Sequence, residues 1–241
     1  MDLGSLAALR PRAVTFDVAG TLVDARWNPC RVAEAAAQHI GLELRPDAGD
    51  AYGGLYGRRL PAFHAANLES DAAVRDFWIE LAADWLRGCG QDPSLADDIY
   101  DAGWQHLFSP DSKVFVPFPD AEPALRRLKS AGLPLAAVSN WDNSLPVVLE
   151  MLGWTGLFDV VIPSLVFGHE KPDRRIFDRA MVLLGMDARC AFHIGDDPLD
   201  DLQGARDAGL RAVLIDRKLE ASAPPTIRSL DDIETAFEWT A

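Results

Sequence analysis

Several polar side chains of this sequence stand directly behind short apolar runs, and their types suit the handling of a phosphoryl group. Asp17 follows Ala13 to Phe16 in FDVAGTLVD, Ser139 and Asn140 follow Leu133 to Val138 in AAVSNWD, and Asp196 closely follows Ala191 to Ile194 in FHIGDDPLDD. Lys171, in GHEKPDRRIF, lies in the loop after a further run, Phe158 to Ile162. A carboxylate can attack phosphorus and split hydrolysis into two easier steps through an aspartyl phosphate, and Asp17 is the candidate. The charge on the transferring oxygens needs fixed donors and a cation, roles open to Ser139, Asn140 and Lys171, whose ammonium is a compact point charge. Asp196, Asp197, Asp200 and Asp201 place four carboxylates within six residues. Their mutual repulsion is tolerable chiefly with a cation among them, and Mg²⁺, which takes one or two carboxylates with phosphate and water, fits better than an all-protein Ca²⁺ cage.

Each residue has an ordinary structural reading as well. An Asp behind a buried strand can be a turn residue. Ser139 and Asn140 can open the following helix, Asp200 and Asp201 can be favourable charges at a helix N-terminus, and Lys171 can be a solvated loop lysine. Their joint placement favours chemistry over these alternatives. His193, inside an apolar run, reads as a satisfied core histidine rather than a ligand, and His169 has no partner at metal spacing. The stretch YGGLYGRRL, with Arg58 and Arg59, reads as a flexible surface turn, or as a loop whose contact with a leaving group only a family resemblance would imply. Trp27 suits either lining the site or packing a hinge.

The elements that must position these residues follow from periodicity. With a fifth run at Arg211 to Ile215, each apolar stretch has the length of a fully buried strand. Helical patterns lie between the later runs: Asp120 can cap one that stops at Gly132, Asn143 or Ser144 opens one ending at Gly153, and Pro172 suits the first turn of one ending at Gly185. The alternation predicts a doubly wound parallel α/β sheet, in which a ligand sits outside the carboxyl ends of the strands. From about Ala25 to Ser109 no strand pattern occurs, and apolar residues recur at helical spacing in Ala73, Phe77, Leu81, Trp85 and in Leu95, Ile99, Gly103, His106. The expected organisation is a core of residues 1–24 and 110–241 with an all-helical insert at 25–109. The one loose stretch is Lys218 to Ser229, with Pro224 and Pro225.

The totals bound the partners. The chain has 241 residues, 49% hydrophobic and 25% charged, the balance of a soluble globular protein. Its 23 Lys+Arg against 37 Asp+Glu give a net charge of -14, which repels nucleic acid. Cys30, Cys89 and Cys190 are odd in number and in no paired spacing, as expected of reduced thiols in a cytoplasmic protein. The N-terminus has too short an apolar run for a signal peptide, and no stretch of about 18 apolar residues follows, so no membrane association is expected.

Taken in order, Asp-x-x-Gly-Thr-Leu, Ser-Asn, Lys-Pro-Asp and Gly-Asp-Asp-x-x-x-Asp resemble the four motifs of the haloacid dehalogenase superfamily, and the helical insert resembles its C1 cap. The resemblance covers nearly the whole chain. It implies a Rossmann-like core, a small phosphorylated metabolite as substrate, and a monomer or homodimer whose cap closes to exclude water. It also implies Asp17 as nucleophile, Lys171 as the charge that steadies it, and Thr21, Ser139 and Asn140 as phosphoryl ligands. Mg²⁺ would be held by Asp17, the backbone carbonyl of Ala19, Asp196 and Asp201, with Asp197 an alternative to the last. One departure stands out: phosphatases of the superfamily carry a second Asp two residues after the nucleophile as general acid and base, and here that position is Ala19. Such help is worth roughly 10² to 10⁴ in rate, or about 3 to 5 kcal/mol of barrier, so good leaving groups such as aryl or acyl phosphates should be preferred. Three alternatives are compatible with the loss of the second Asp. Phosphonoacetaldehyde hydrolases need a cap lysine, and no lysine precedes Lys113. The 2-haloacid dehalogenases work without metal and do not need the acidic run. A degenerate member would bind a phosphorylated ligand or a partner protein with little turnover.

Overall fold

The computed structural model describes residues 11–221 and 223–239; the N-terminal stretch weighed as a targeting signal lies, up to residue 10, outside them. The described chain forms two compact units, one taking in the chain up to Ala25 and from Val116 onward, the other Arg26–Phe115. The strands, in chain order, are β1 (Ala13–Phe16), β2 (Val23–Ala25), β3 (Phe115–Pro117), β4 (Leu135–Ser139), β5 (Val160–Pro163), β6 (Ala191–Gly195), β7 (Arg211–Ile215) and β8 (Thr226–Ile227).

Six of them make one parallel sheet in the order β5-β4-β1-β6-β7-β8. Every residue of β1, β4 and β6 is buried, as a sheet covered on both faces requires. Alternation along β6 shows the two covers: Phe192 meets Phe237 of the helix Ile233–Trp239, whereas His193, on the opposite face, meets Phe177 of the helix Arg174–Leu184. That second helix starts where the Asp173 carboxylate accepts from the Arg175 N–H and ends at Gly185, whose φ of 65° suits a residue without Cβ. It buries Ile176, Phe177, Ala180 and Met181 against Ala13, Ala136, Val138 and Ala191, where small strand residues let it lie close. Fully burying side chains of this size contributes about 1.5–3 kcal/mol each.

Several sequence expectations are corrected here. Pro172 lies before the helix at Arg174, because Asp173 takes the cap. The helix ending near Gly132 spans Ala121–Ser130 without a side-chain bond from Asp120 to its first turn. That carboxylate instead accepts from Arg217, Ser229 and the Leu230 N–H. Ser144, at the N-cap of Leu145–Met151, makes no side-chain cap bond to it. The loose stretch near Pro225 contains β8, paired with β7. The insert boundary carries β2 and β3, a two-stranded sheet of three residues each, too short for a periodic signal.

The second unit consists of helices Pro29–His39, Ala48–Glu69, Asp71–Gly88 and Ala96–Phe108 with one 3₁₀ turn, Pro93–Leu95. Phe77, Leu81 and Trp85 line the buried face as their spacing predicts, but Val74 replaces Ala73 on it. Ile99 and Gly103 are buried in the last helix, whereas His106 is exposed. The stretch YGGLYGRRL is not a loop; it lies inside Ala48–Glu69. Glycine costs a helix stability, and the compensation here is close packing, since a Cβ on Gly53 would stand 2.6 Å from Cys30 Sγ and one on Gly49 would stand 2.1 Å from Glu34 Oε1. Arg59 in that helix pairs with Asp84, and Trp27 meets the Tyr56 ring edge-on at 5.7 Å. No described helix is long and apolar enough to cross a membrane.

Candidate active site

The chain order of the sheet reverses around β1, whose neighbours are β4 and β6. Parallel strands send their carboxyl ends the same way, so the residues behind these three gather along one edge, where open α/β sheets bind ligands. Asp17 follows β1 directly, Ser139 closes β4, and Asp196 follows β6. The Asp17 N–H donates to Ile194 O at 2.9 Å, which ties the tip of β1 to β6.

The Asp17 side chain is 6% exposed. Its Oδ1 accepts from Ser139 Oγ at 2.9 Å and from Lys171 Nζ at 2.6 Å. Its Oδ2 is buried and has no partner. One oxygen is thus fixed by two donors while the other is left for a ligand. Beyond Asp17 the backbone folds back, with the N–H groups of Leu22 and Val23 both donating to Val18 O at 2.9 Å. Gly20 is required in this turn twice over: its φ is 79°, and a Cβ there would stand 2.2 Å from Asp196 Oδ2. Ala19, half-buried in the same turn, presents a methyl group with no proton to give.

Lys171 reaches Asp17 from a braced loop. The Asn140 carboxamide accepts from the Lys171 N–H at 2.8 Å and donates to Lys171 O at 3.0 Å. The Asn140 side chain is therefore engaged in holding the lysine, and its backbone N–H is the group it could still offer an anion. Gly204 lets this loop pack tightly, since a Cβ on it would meet Pro172 Cα at 3.0 Å. The ammonium donates a second time, to Asp201 Oδ1 at 2.5 Å. Asp201 also meets His193 Nε2 at 3.1 Å and accepts the Asp197 N–H on Oδ2 at 3.0 Å. Gly195 makes room for it, as a Cβ there would fall 2.1 Å from Asp201 Cγ.

Of the four acids of the last motif, two come close to Asp17. Asp17, Asp196 and Asp201 each offer an oxygen within 4.8 Å of the others. Asp197, in contrast, caps the π-helical turn Pro198–Gln203 by accepting from Leu199 and Asp200, and Asp200 accepts from Asn140. Thr21 is fully buried with its hydroxyl 3.4 Å from Asp196 Oδ1, a weak contact at that length.

The charges of the set do not balance. Burial pushes the Asp17 carboxyl up, against the pull of Lys171 and Ser139, and the charge of Asp201 adds to the rise. Asp196 is more exposed, yet partial burial of its carboxyl, helped by the charges of Asp17 and Asp201, raises it to about 6. Burial works upward on Asp201 too, but hydrogen bonds and charge from His193 and Lys171 hold its carboxyl well below the usual range. Burial opposes the ammonium of Lys171, yet its two carboxylate neighbours keep it above its ordinary value. Three carboxylates thus face one ammonium, a shortfall of two positive charges, and Asp17 Oδ2 is an acceptor without a donor. The charge shortfall fits a divalent cation bound by oxygen ligands.

Sequence reasoning missed two supporting contacts. His193, correctly read as buried and satisfied, touches the site through Asp201 and is held from behind by Thr15, its partner across β1 and β6. The available signal was a pair of polar residues in otherwise apolar central strands. Arg217 donates to Thr21 O at 2.6 Å and to Asp120 at 2.8 Å, and its guanidinium lies 3.8 Å from the Phe118 ring centroid, clamping the turn behind Asp17. No local pattern announced it.

Comparison with known proteins agrees with this architecture. A family model described as haloacid dehalogenase-like hydrolase matches residues 11–209. The human haloacid dehalogenase-like hydrolase domain-containing protein 3 is 31% identical over 209 residues, covering 86% of this chain and 82% of that protein. A ribulose-1,5-bisphosphate 5-phosphatase of Halopiger xanaduensis is 31% identical over 216 residues, covering 88% and 87%. The solved structure of a 2-haloacid dehalogenase from Pseudomonas syringae superposes with a TM-score of 0.68 at 23% identity over 96% of this chain and all of that one, a likeness of fold.

Proposed function

We propose that this chain, which belongs to the haloacid dehalogenase-like hydrolases, is a Mg²⁺-dependent phosphatase that hydrolyses a small phosphorylated metabolite through an aspartyl phosphate on Asp17. The observation that supports this most is the division of labour within one carboxylate: Oδ1 is held by Lys171 and Ser139, whereas Oδ2 is buried without a partner. A carboxylate so oriented presents one oxygen to phosphorus with little reorganisation. Relatives named as phosphatases fit the same chemistry.

In this scheme Asp17 Oδ2 attacks phosphorus as the bond to the leaving oxygen breaks, and water then cleaves the acyl phosphate to return the carboxylate and release phosphate. Lys171 stays protonated throughout and keeps Oδ1 in place. The Thr21 hydroxyl and the backbone of Asn140 hold the phosphoryl oxygens as charge grows on them, while the single proton of the Ser139 hydroxyl stays on Asp17 Oδ1. Asp17, Asp196, Asp201 and the Ala19 carbonyl would hold the metal. Mg²⁺, when bound, supplies the two positive charges the carboxylate set lacks. Ala19 cannot protonate the departing group, so aryl and acyl phosphates are turned over faster than alkyl phosphates. Three unpaired thiols suit a cytoplasmic setting.

The test is p-nitrophenyl phosphate hydrolysis with Mg²⁺ and with EDTA, beside Asp17→Asn. Metal-dependent turnover that the variant loses supports the proposal; tight phosphate binding without turnover points to a degenerate binding protein. Ala19 also sustains a second reading, because a halide leaves without a proton. Halide release from 2-chloropropionate in EDTA would favour that dehalogenase chemistry.

A further inference from the structure

We propose that His193 is a positioning residue for this site: seated between Thr15 and Asp201, it holds Asp201 Oδ1 against Lys171 and, through the lysine, fixes the orientation of Asp17. The kinetic part of this proposal rests on the phosphatase reading; the structural part does not.

The chain of contacts is continuous and buried. Thr15 Oγ1 lies 2.8 Å from His193 Nδ1, and His193 Nε2 lies 3.1 Å from Asp201 Oδ1. Lys171 Nζ then stands 2.5 Å from that same oxygen and 2.6 Å from Asp17 Oδ1. Thr15 and His193 are fully buried, and Asp201 and Lys171 nearly so. The pairing of Thr15 with His193 across β1 and β6 places the hydroxyl behind the ring, and Phe177 fixes its plane at 5.1 Å and 84°. An ionised carboxylate only accepts hydrogen bonds, so Nε2 carries the proton that points at Asp201.

Packing alone does not ask for an imidazole here. A buried polar ring is unfavourable unless its nitrogens are paired, and an apolar side chain would fill the space without that demand. What the ring adds is a second donor on Asp201 Oδ1. Lys171 is shared between two carboxylates, and its position is set by their relative pull. Without the His193 donor, Asp201 would hold more uncompensated charge and draw the ammonium away from Asp17, whose Oδ1 would then keep only Ser139.

The experiment compares His193→Asn with His193→Gln. A glutamine amide nitrogen reaches the place of Nε2 and restores the donor to Asp201, whereas an asparagine amide stops at the place of Nδ1. With p-nitrophenyl phosphate and Mg²⁺, His193→Asn is expected to lower kcat about 10- to 100-fold, the usual effect of losing a partner behind a reacting group, with KM little changed. His193→Gln should stay within about threefold of the native protein, well inside the range of one lost neutral hydrogen bond. In the same samples without substrate or metal, the Lys171 ammonium signal in proton–nitrogen NMR should persist in the native protein and in His193→Gln and vanish in His193→Asn; with four lysines in the chain its assignment is simple. Equal losses in both variants, or an asparagine variant with native kcat and native lysine signal, would overturn the proposal. If the native protein hydrolyses no phosphate ester yet the lysine signal follows the asparagine–glutamine contrast, the phosphatase reading fails and the positioning contact stands. Should His193→Asn not fold, Thr15→Val removes the rear anchor instead. A fall in kcat of about fivefold at constant KM supports the proposal, and an unchanged kcat refutes it.

Discussion

Replacing Lys171 with methionine keeps most of the side chain's length and removes its charge, which makes it the most informative perturbation of this site. The ammonium stands 2.6 Å from Asp17 and 2.5 Å from Asp201, and the lysine side chain is 3% exposed. At an effective dielectric of about 20, each contact amounts to roughly 6 kcal/mol before desolvation. Desolvation of all three groups offsets much of that, and deleting one partner of a buried pair leaves a net loss of about 3–5 kcal/mol. Lys171→Met strands two carboxylates, so the expected loss at pH 7 lies at the upper end, about 5 kcal/mol.

The pH dependence has a definite sign. In the variant, Asp17 and Asp201 are buried without their cation, so their folded pKa values rise above the unfolded value of roughly 3.9. A carboxyl raised on folding destabilises when ionised, and folding regains stability as pH falls and the folded state takes up protons. The gap between native protein and variant should therefore be widest near neutrality and narrow steadily from pH 7 to pH 5. Urea unfolding followed by circular dichroism measures it. A gap below about 1 kcal/mol at pH 7, or one independent of pH, would refute the view that this ammonium holds the two carboxylates together.

Three further outcomes follow from the same geometry. Ala19→Asp restores a carboxyl where a leaving group needs a proton, and hydrolysis of alkyl phosphates should rise by about 10² relative to p-nitrophenyl phosphate; an unchanged ratio in steady-state assays counts against it. Mg²⁺ at about 100 times its Kd should raise unfolding stability by about 2.7 kcal/mol, an increment that Asp196→Asn abolishes in parallel urea titrations. Asp120, although burial opposes it, is held below the usual carboxylate range by Arg217, the Leu230 N–H and Ser229. Its contribution is thus present above the unfolded pKa and lost as pH falls through the folded one. Asp120→Asn should destabilise by about 1.5–3 kcal/mol at pH 7, and the difference should disappear in acid; a difference that persists at pH 2 would contradict this.

Much of the fold was legible in the sequence because its signals are local. A buried parallel strand is a short run such as AVTF, and the same run announces that a polar residue at its end lies on the ligand edge of the sheet. Asp17, Ser139 and Asp196 could be selected on that basis, and Lys171 by its loop. Tertiary structure decided what each of them does with its neighbours. Asn140 turns out to clasp the backbone of Lys171, 31 residues away. Thr15 and His193, 178 residues apart, meet only because β1 and β6 pair in one register. YGGLYGRRL looked like a loop because glycine disfavours a helix, and the Cys30 sulfur that makes glycine necessary at position 53 belongs to another element. Periodicity and strand-end chemistry are properties of neighbouring residues, so a sequence displays them. Which donor meets which carboxylate depends on register, approach and burial, and those exist only once the chain has closed on itself.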